Sequence, residues 1–599
     1  MTLGLSDWWA IAAYLIATLV LGLYFRRRSG SSTEEYFVSG RSVSWWLAGT
    51  SMVATTFAAD TPLAVTGLVC AYGISGNWLW WSLLLSGMMT VFLFARLWRR
   101  SGLLTDAQFA ELRYSGKPAA FLRGFRAVYL GLLMNCLILG WVTKAMVGIT
   151  AVALGITEQK ALALCVFFLI PFTGLYATLG GLWGVLWTDL FQFVLKMGVV
   201  IAVAVYGVAA VGGMGPLLER LAALRAAEGH GAGDPTQFLP MFSLGFAGQA
   251  KWVLPLAAFA LNLGVQWWAS WYPGAEPGGG GYVAQRIFCT RDERHGLLSV
   301  LWFNVAHYAV RPWPRILTAL VALALYPHLE HPEAGYIMVA TTYLPHALRG
   351  LLIAGFFAAF MSTFATQLNW GSSYLVNDFY RRFLRKDEAE THYVTASRLA
   401  TLLLVAVAAV VASQLSSVVE GWKFVLEVGA GTGAVYMLRW YWWRVNAWSE
   451  ISAMLAALGI SVALLKLRPS GGEDLLSFAE NALITTGLTT VVWVAVTLAT
   501  RPEPQEVLLR FYRLVRPDVT GWRSVAALAG DVPETHDLAA NLRAWLLGCV
   551  MVYAALFSVG SFLLERPTHG AALGLLAVIC GWLVGREIAR QSWHVDSPS

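Results

Sequence analysis

The sequence predicts an all-α polytopic membrane protein, and three observations carry that prediction. Hydrophobic residues make up 57% of the 599-residue chain and charged residues only 13%, outside the range of soluble globular proteins. Apolar runs long enough to cross a bilayer recur along the whole length. The loops between them alternate between rich and poor in Lys and Arg. The net charge of +7 therefore reads as charge on cytoplasmic loops, since no regularly spaced basic stripe suggests nucleic acid as a partner. The 28 Trp and 21 Tyr suit the two interfacial belts.

About fifteen runs of spanning length occur, near 7–25, 44–73, 77–98, 124–155, 160–179, 187–212, 250–272, 298–326, 349–376, 393–414, 421–438, 450–467, 480–500, 542–563 and 571–587. Met1 to Trp8 carries no positive charge, and Arg26, Arg27 and Arg28 follow the first run instead of preceding it. That order argues against a cleaved signal peptide and places the N-terminus outside the cell membrane. With fifteen spans the C-terminus is then cytoplasmic. The loops predicted inside carry Arg41, then Arg99, Arg100, Arg113 and Lys117, then Arg286, Arg291 and Arg294. Predicted outside loops are poorer: 327–348 has no Lys or Arg, and 213–249 has only Arg220 and Arg225. Thr105 to Ser115 reads as a short amphipathic piece at the interface or a solvated turn, and 501–541 as a cytoplasmic connector. The six cysteines show no paired spacing and read as small hydrophobes.

Two spans break the apolar pattern. The run 44–73 holds Thr55, Thr56, Asp60, Thr61 and then Pro62 at its centre. Proline lacks an N–H and clashes with the preceding turn, so the helix is expected to break here. Either Asp60 caps the second half of a kinked helix, or the break lends bare carbonyls to a bound ion or solute. In the run 349–376, Ala359, Ser362 and Thr363 stand at i, i+3 and i+4 and share one face of one turn. A carbonyl and two hydroxyls there suit an alkali cation, though such hydroxyls also serve as helix glue. The glycine series Gly429, Gly431, Gly433 lacks the strand and βαβ unit of a nucleotide loop and reads as close helix packing.

Several motifs in register give a more specific reading. Gly40-Arg41-Ser42, the broken run after it, Gly180-Gly181-Leu182, Thr188-Asp189 with Gln192, Gln285-Arg286, and Ala358-Ala359 with Ser362-Thr363, Asp378 and Tyr380 resemble the sodium/solute symporter family over about residues 1–440. That family holds sodium-coupled sugar, proline and pantothenate carriers. The resemblance implies two inverted repeats of five helices (the LeuT-type arrangement), here 44–212 and 250–440. Residues 1–43 would add one helix before them, 213–249 an external loop between them, and 441–599 further helices after them. It implies a sodium ion held by the carbonyls of Ala54, Phe57 and Ala359 and the hydroxyls of Ser362 and Thr363. Asp189 matches a family acid on the ion's cytoplasmic route or at a further cation site. Asp60 and Thr61 fall where the family's broken helix faces substrate, with Asn262, Gln266, His307 and Arg311 as further candidates. Lys144 and Lys423 are charged groups near apolar runs. The chain departs from the family at the Trp-, Pro- and Gly-rich stretch 267–281, which argues against assigning a sugar by analogy.

The implied function is sodium-coupled symport of a small polar organic solute by alternating access, with the bilayer, the solute and sodium as partners and no cofactor. Proton coupling is one alternative and a solute sensor without transport another. No catalytic constellation points to an enzyme.

Overall fold

The computed structural model describes residues 3–229, 231–243, 250–272, 276–415, 425–467, 475–591 and 593. Lys423 and three residues of the 267–281 stretch lie outside them. Among the described residues, nine helices are long and apolar enough to cross a membrane, or eleven if two bent pairs count as one span each. The difference from fifteen apolar runs has physical causes. Helix Glu158–Ala210 runs 53 residues, about 80 Å at 1.5 Å per residue, and so covers two expected spans. Runs 250–272 and 298–326 are interrupted by short strands, π-turns or bends.

Seven segments position the site. They are α1 (Leu5–Ser29), α2 (Trp45–Thr56), α3 (Thr61–Tyr72), α4 (Glu158–Ala210), α5 (Glu293–Val305), α6 (Pro312–Leu325) and α7 (Leu348–Leu384). α7 is the central one: 94% of its apolar window is buried, against 22% for α1. α4 packs on α1, α2, α6 and α7, and α2 also packs on α5. The Asp7 carboxylate accepts the backbone N–H groups of Gly4 and Gly350, both at 2.8 Å, and ties the start of α1 to the start of α7.

The break in the run 44–73 falls where the sequence predicts. The Phe57 N–H closes α2 on the carbonyls of Val53 and Ala54, and Phe57 itself leaves helical geometry at φ −86°, ψ 60°. Pro62 stands in the first turn of α3, where a missing N–H costs nothing. The halves are bent by 61°. Asp60 immediately precedes α3, and no side-chain capping hydrogen bond of ordinary geometry is formed there. α4 turns at Gly181, whose φ of 52° and ψ of −155° belong to glycine. A Cβ there would stand 2.9 Å from Ser29 Cβ and 3.0 Å from the Tyr36 carbonyl.

One sequence expectation changes and another holds. Thr105 to Ser115 does not lie at an interface: Phe109, Arg113 and Tyr114 are buried, and Phe109 packs on Trp440. The burial is explained by its polar partners, since Thr105 donates to the Asp378 carboxylate at 2.6 Å. Trp271 is buried as well, with its N–H on the Gly429 carbonyl at 3.1 Å. Gly429 and Gly433 lie flat against the backbone of Trp271 and Trp268, leaving no space for a side chain, so the glycine series serves close packing.

Gly181→Ala is expected to destabilise the protein by about 1–3 kcal/mol, because it forces a side chain into the left-handed region against Tyr36. Gly198→Ala on the same helix meets nothing within 4 Å and is expected to leave the thermal unfolding midpoint in detergent unchanged or raised.

Candidate functional site: a cation cage at the broken helix

Cutting α2 at Phe57 leaves carbonyls at its C-terminal end without helical donors, and the helix dipole makes that end negative. The structure sets a cation against them. Lys196 Nζ donates to the Ala54 carbonyl at 2.7 Å and to the Phe57 carbonyl at 3.3 Å. The side chain is buried, and its ammonium also lies 5.1 Å from the centre of the Phe57 ring. On the opposite wall, Thr363 Oγ1 donates to the Thr55 carbonyl at 2.7 Å and to the Ala359 carbonyl at 3.3 Å. Ser362 Oγ is buried near Asp189 and makes no hydrogen bond of ordinary geometry among the described residues. Ala54, Phe57, Ala359 and Thr363 thus lie where α2 meets α7, Ser362 lies toward Asp189, and the cation on the Ala54 and Phe57 carbonyls is a lysine side chain from α4.

Lys196 was legible in the sequence. It is the sole basic residue in the run 187–212, two turns from Asp189 on the same helical face. An ionisable group at membrane depth is a functional candidate by default, since stranding it there costs about 2.5–3.5 kcal/mol or more. The family resemblance directed attention to oxygen ligands and away from this residue.

Asp189 and the Gln285-Arg286 motif meet behind the break. Ser51 O–H donates to Asp189 Oδ2 at 2.5 Å, and Arg286 Nε donates to Ser51 Oγ at 3.2 Å. Arg286 also donates to Thr366 at 2.8 Å and Gln285 at 2.7 Å, and lies 3.9 Å from Asp189. Thr366 bonds Thr55 at 2.9 Å, closing the loop from α4 through α7 to α2. Every side chain in this set is buried, so each depends on its neighbours in place of water.

On the other side of Phe57 stand two arginines. Arg311 precedes α6 and Arg315 lies one turn into it, both buried. Arg311 Nη1 donates to Thr56 Oγ1 at 3.3 Å, and the Arg315 guanidinium stacks 3.7 Å from the Phe57 ring centre. None of the three Arg315 side-chain nitrogens has a hydrogen-bond partner among the described residues. His307 Nδ1 is 3.0 Å from Thr56 Oγ1. Asp60 is the carboxylate whose field both arginines feel. Asp60, His307 and Arg311 are therefore brought together, with Thr61 adjacent. Asn262 donates to its own helix at Ala258, 2.8 Å away, and the neighbouring Leu261 and Val265 pack on Ala479 and Ala482 of helix Leu475–Ala499. Lys144 pairs at 3.5 Å with Glu158, a largely exposed residue, well away from the cage. Sequence reasoning missed Arg315, although its spacing from Arg311 inside an apolar run marks it.

Ser51→Ala removes one hydroxyl that serves both Asp189 and Arg286 and is expected to cost about 1–3 kcal/mol of stability. Combined with Asp189→Asn, the loss is expected to fall short of the sum of the single losses in a double-mutant cycle read by thermal unfolding.

Comparison with known proteins places this geometry. The sodium:solute symporter family matches residues 36–457. A sodium/glucose cotransporter of Vibrio parahaemolyticus is 23% identical over 83% of this chain and 91% of its own length. Solute carrier family 5 member 4B of Mus musculus is 25% identical over 77% of this chain and 72% of its own. The substrate-bound, outward-open structure of a Na+-coupled sialic acid symporter superposes with a TM-score of 0.64 at 16% identity, covering 84% of this chain and 99% of that one. The same fold is thus shared. On the extent of the family match, this multi-pass membrane protein belongs to the sodium:solute symporter family.

Proposed function

We propose that the protein is a secondary active transporter that moves a small polar organic solute across the membrane by alternating access around the α2–α3 break. The observation that carries the reading is the break itself, whose exposed carbonyls hold a cation against α7. Such discontinuous helices at membrane depth provide ion and substrate sites in transporters. The proposed frame is the fifteen-span architecture with inverted repeats at 44–212 and 250–440, and Asp189 lies on the cytoplasmic side of its ion path. Family membership and the sodium-coupled relatives support sodium as the driving ion. The ammonium at the Ala54 and Phe57 carbonyls favours a second reading, in which protons drive uptake.

Charge balance supports an anionic group on the solute. Around the Phe57 ring, Lys196, Arg311 and Arg315 bring three positive charges. Asp60 opposes the arginines, and Asp189 is shared between Lys196 and Arg286. A carboxylate can take both arginines through paired hydrogen bonds, and Arg315 has all of its donors to give.

Uptake into proteoliposomes tests the first claim: a carboxylate solute is expected to accumulate above its equilibrium level under an inward sodium or an inward proton gradient. Mere equilibration under both would contradict active transport. For the solute class, carboxylates are expected to raise the unfolding midpoint while their amides do not. Arg311→Gln is expected to weaken that binding about 10- to 100-fold, the loss of one charge-assisted hydrogen bond.

A further inference from the structure

We propose that Lys196 is a built-in replacement for the cation at the broken helix, so that this cage takes no sodium in the native protein. The proposal rests on the reading of the α2–α3 break as the moving part of a transporter and assigns the occupant of its cage.

A sodium ion at this place would draw on the carbonyls of Ala54, Phe57 and Ala359 and the hydroxyls of Ser362 and Thr363. Two of those carbonyls are taken by one ammonium, at 2.7 and 3.3 Å. The Ala359 carbonyl and the Thr363 hydroxyl are bonded to each other at 3.3 Å. A second cation against the same carbonyls would meet the ammonium at close range in a site buried from bulk solvent, where repulsion is weakly screened. Lys196 also fits electrostatically, since it stands at the negative end of the α2 dipole and over the face of the Phe57 ring. The charged groups that act on it are Asp189 from its own helix and Arg311 and Arg315 from the region of α6. The residues named here on α7 are uncharged: Ala359, Ser362 and Thr363.

The functional consequence is specific. In a cage filled by a free ion, the contact between α2 and α7 depends on ion concentration. Here the cation is covalently attached to α4, so the same contact forms as the chain folds and links three helices at once. Sodium that drives transport would then have to bind elsewhere.

The test uses the purified full-length chain in detergent, compared in sodium chloride and choline chloride at equal ionic strength. The difference in unfolding midpoint between the two salts is expected to be the same for wild type and Thr363→Ala, because sodium bound elsewhere stabilises both alike. Lys196→Ala is expected to unfold several degrees lower in choline and to recover with saturable dependence on sodium, which now enters the emptied cage. Adding Thr363→Ala to Lys196→Ala is expected to abolish the recovery. A folded Lys196→Ala protein that sodium does not restore overturns the proposal. A wild-type arm needs no lysine variant: radioactive sodium bound at equilibrium is expected to be equal for wild type and Thr363→Ala, and loss of bound sodium in Thr363→Ala overturns the proposal. None of these readouts requires transport, so their failure leaves the transporter reading to the uptake assay.

Discussion

The contact of one buried ammonium with the frayed end of α2 is the constraint on which the rest of the site depends. Breaking a helix inside a membrane exposes carbonyls that no lipid can satisfy, and each costs free energy until something donates to it. Lys196 donates to two of them, and Thr363 donates to a third, the carbonyl of Thr55. Conversely, Lys196 is buried from bulk solvent and needs those oxygens. Break and lysine are each costly alone and stable together. Removing either leaves the other stranded.

The surrounding charges follow from the same requirement. Arg286 is held by Ser51, Gln285 and Thr366, and with Asp189 it forms a buried layer behind α2. A second layer lies further along α7, where the Asp378 carboxylate accepts Arg123 at 2.8 Å and Thr105 at 2.6 Å. There Asp106 accepts the Gly281 N–H at 3.2 Å and pairs with Arg126 at 3.3 Å. This second layer clamps the glycine-rich stretch to α7. Beside Phe57, Arg315 keeps all three side-chain nitrogens without a hydrogen-bond partner among the described residues, which leaves a full set of donors next to the break.

Much of this was written in the sequence, and what was missed has a physical reason. The break at Pro62 and the shared face of Ala359, Ser362 and Thr363 followed from backbone chemistry and helical spacing, which are local. Asp189 and Gln285-Arg286 followed from motif order, although that they meet at Ser51 did not, because 235 residues separate Ser51 from Arg286. Lys196 carried a readable signal as the one basic group in its run, but a resemblance supplies ligands by position and is silent about a residue that takes the ligand's place. Asn262 and Gln266 share a turn with suitable spacing, yet spacing fixes a face and not which neighbour it meets; the contact of this segment with helix Leu475–Ala499, made by Leu261 and Val265, is equally invisible in the sequence. The burial of Thr105 to Ser115 was hidden because its polar residues look solvated until Asp378 supplies a partner.

The function of the break depends on which cation stands between α2 and α7. A high-resolution cryo-EM map of the wild-type protein in sodium-containing buffer answers that directly. Lys196 Nζ is expected within hydrogen-bond distance of the Ala54 and Phe57 carbonyls, with no separate ion beside it. A lysine turned away, with an ion coordinated by Ala54, Phe57, Ala359, Ser362 and Thr363, would contradict it.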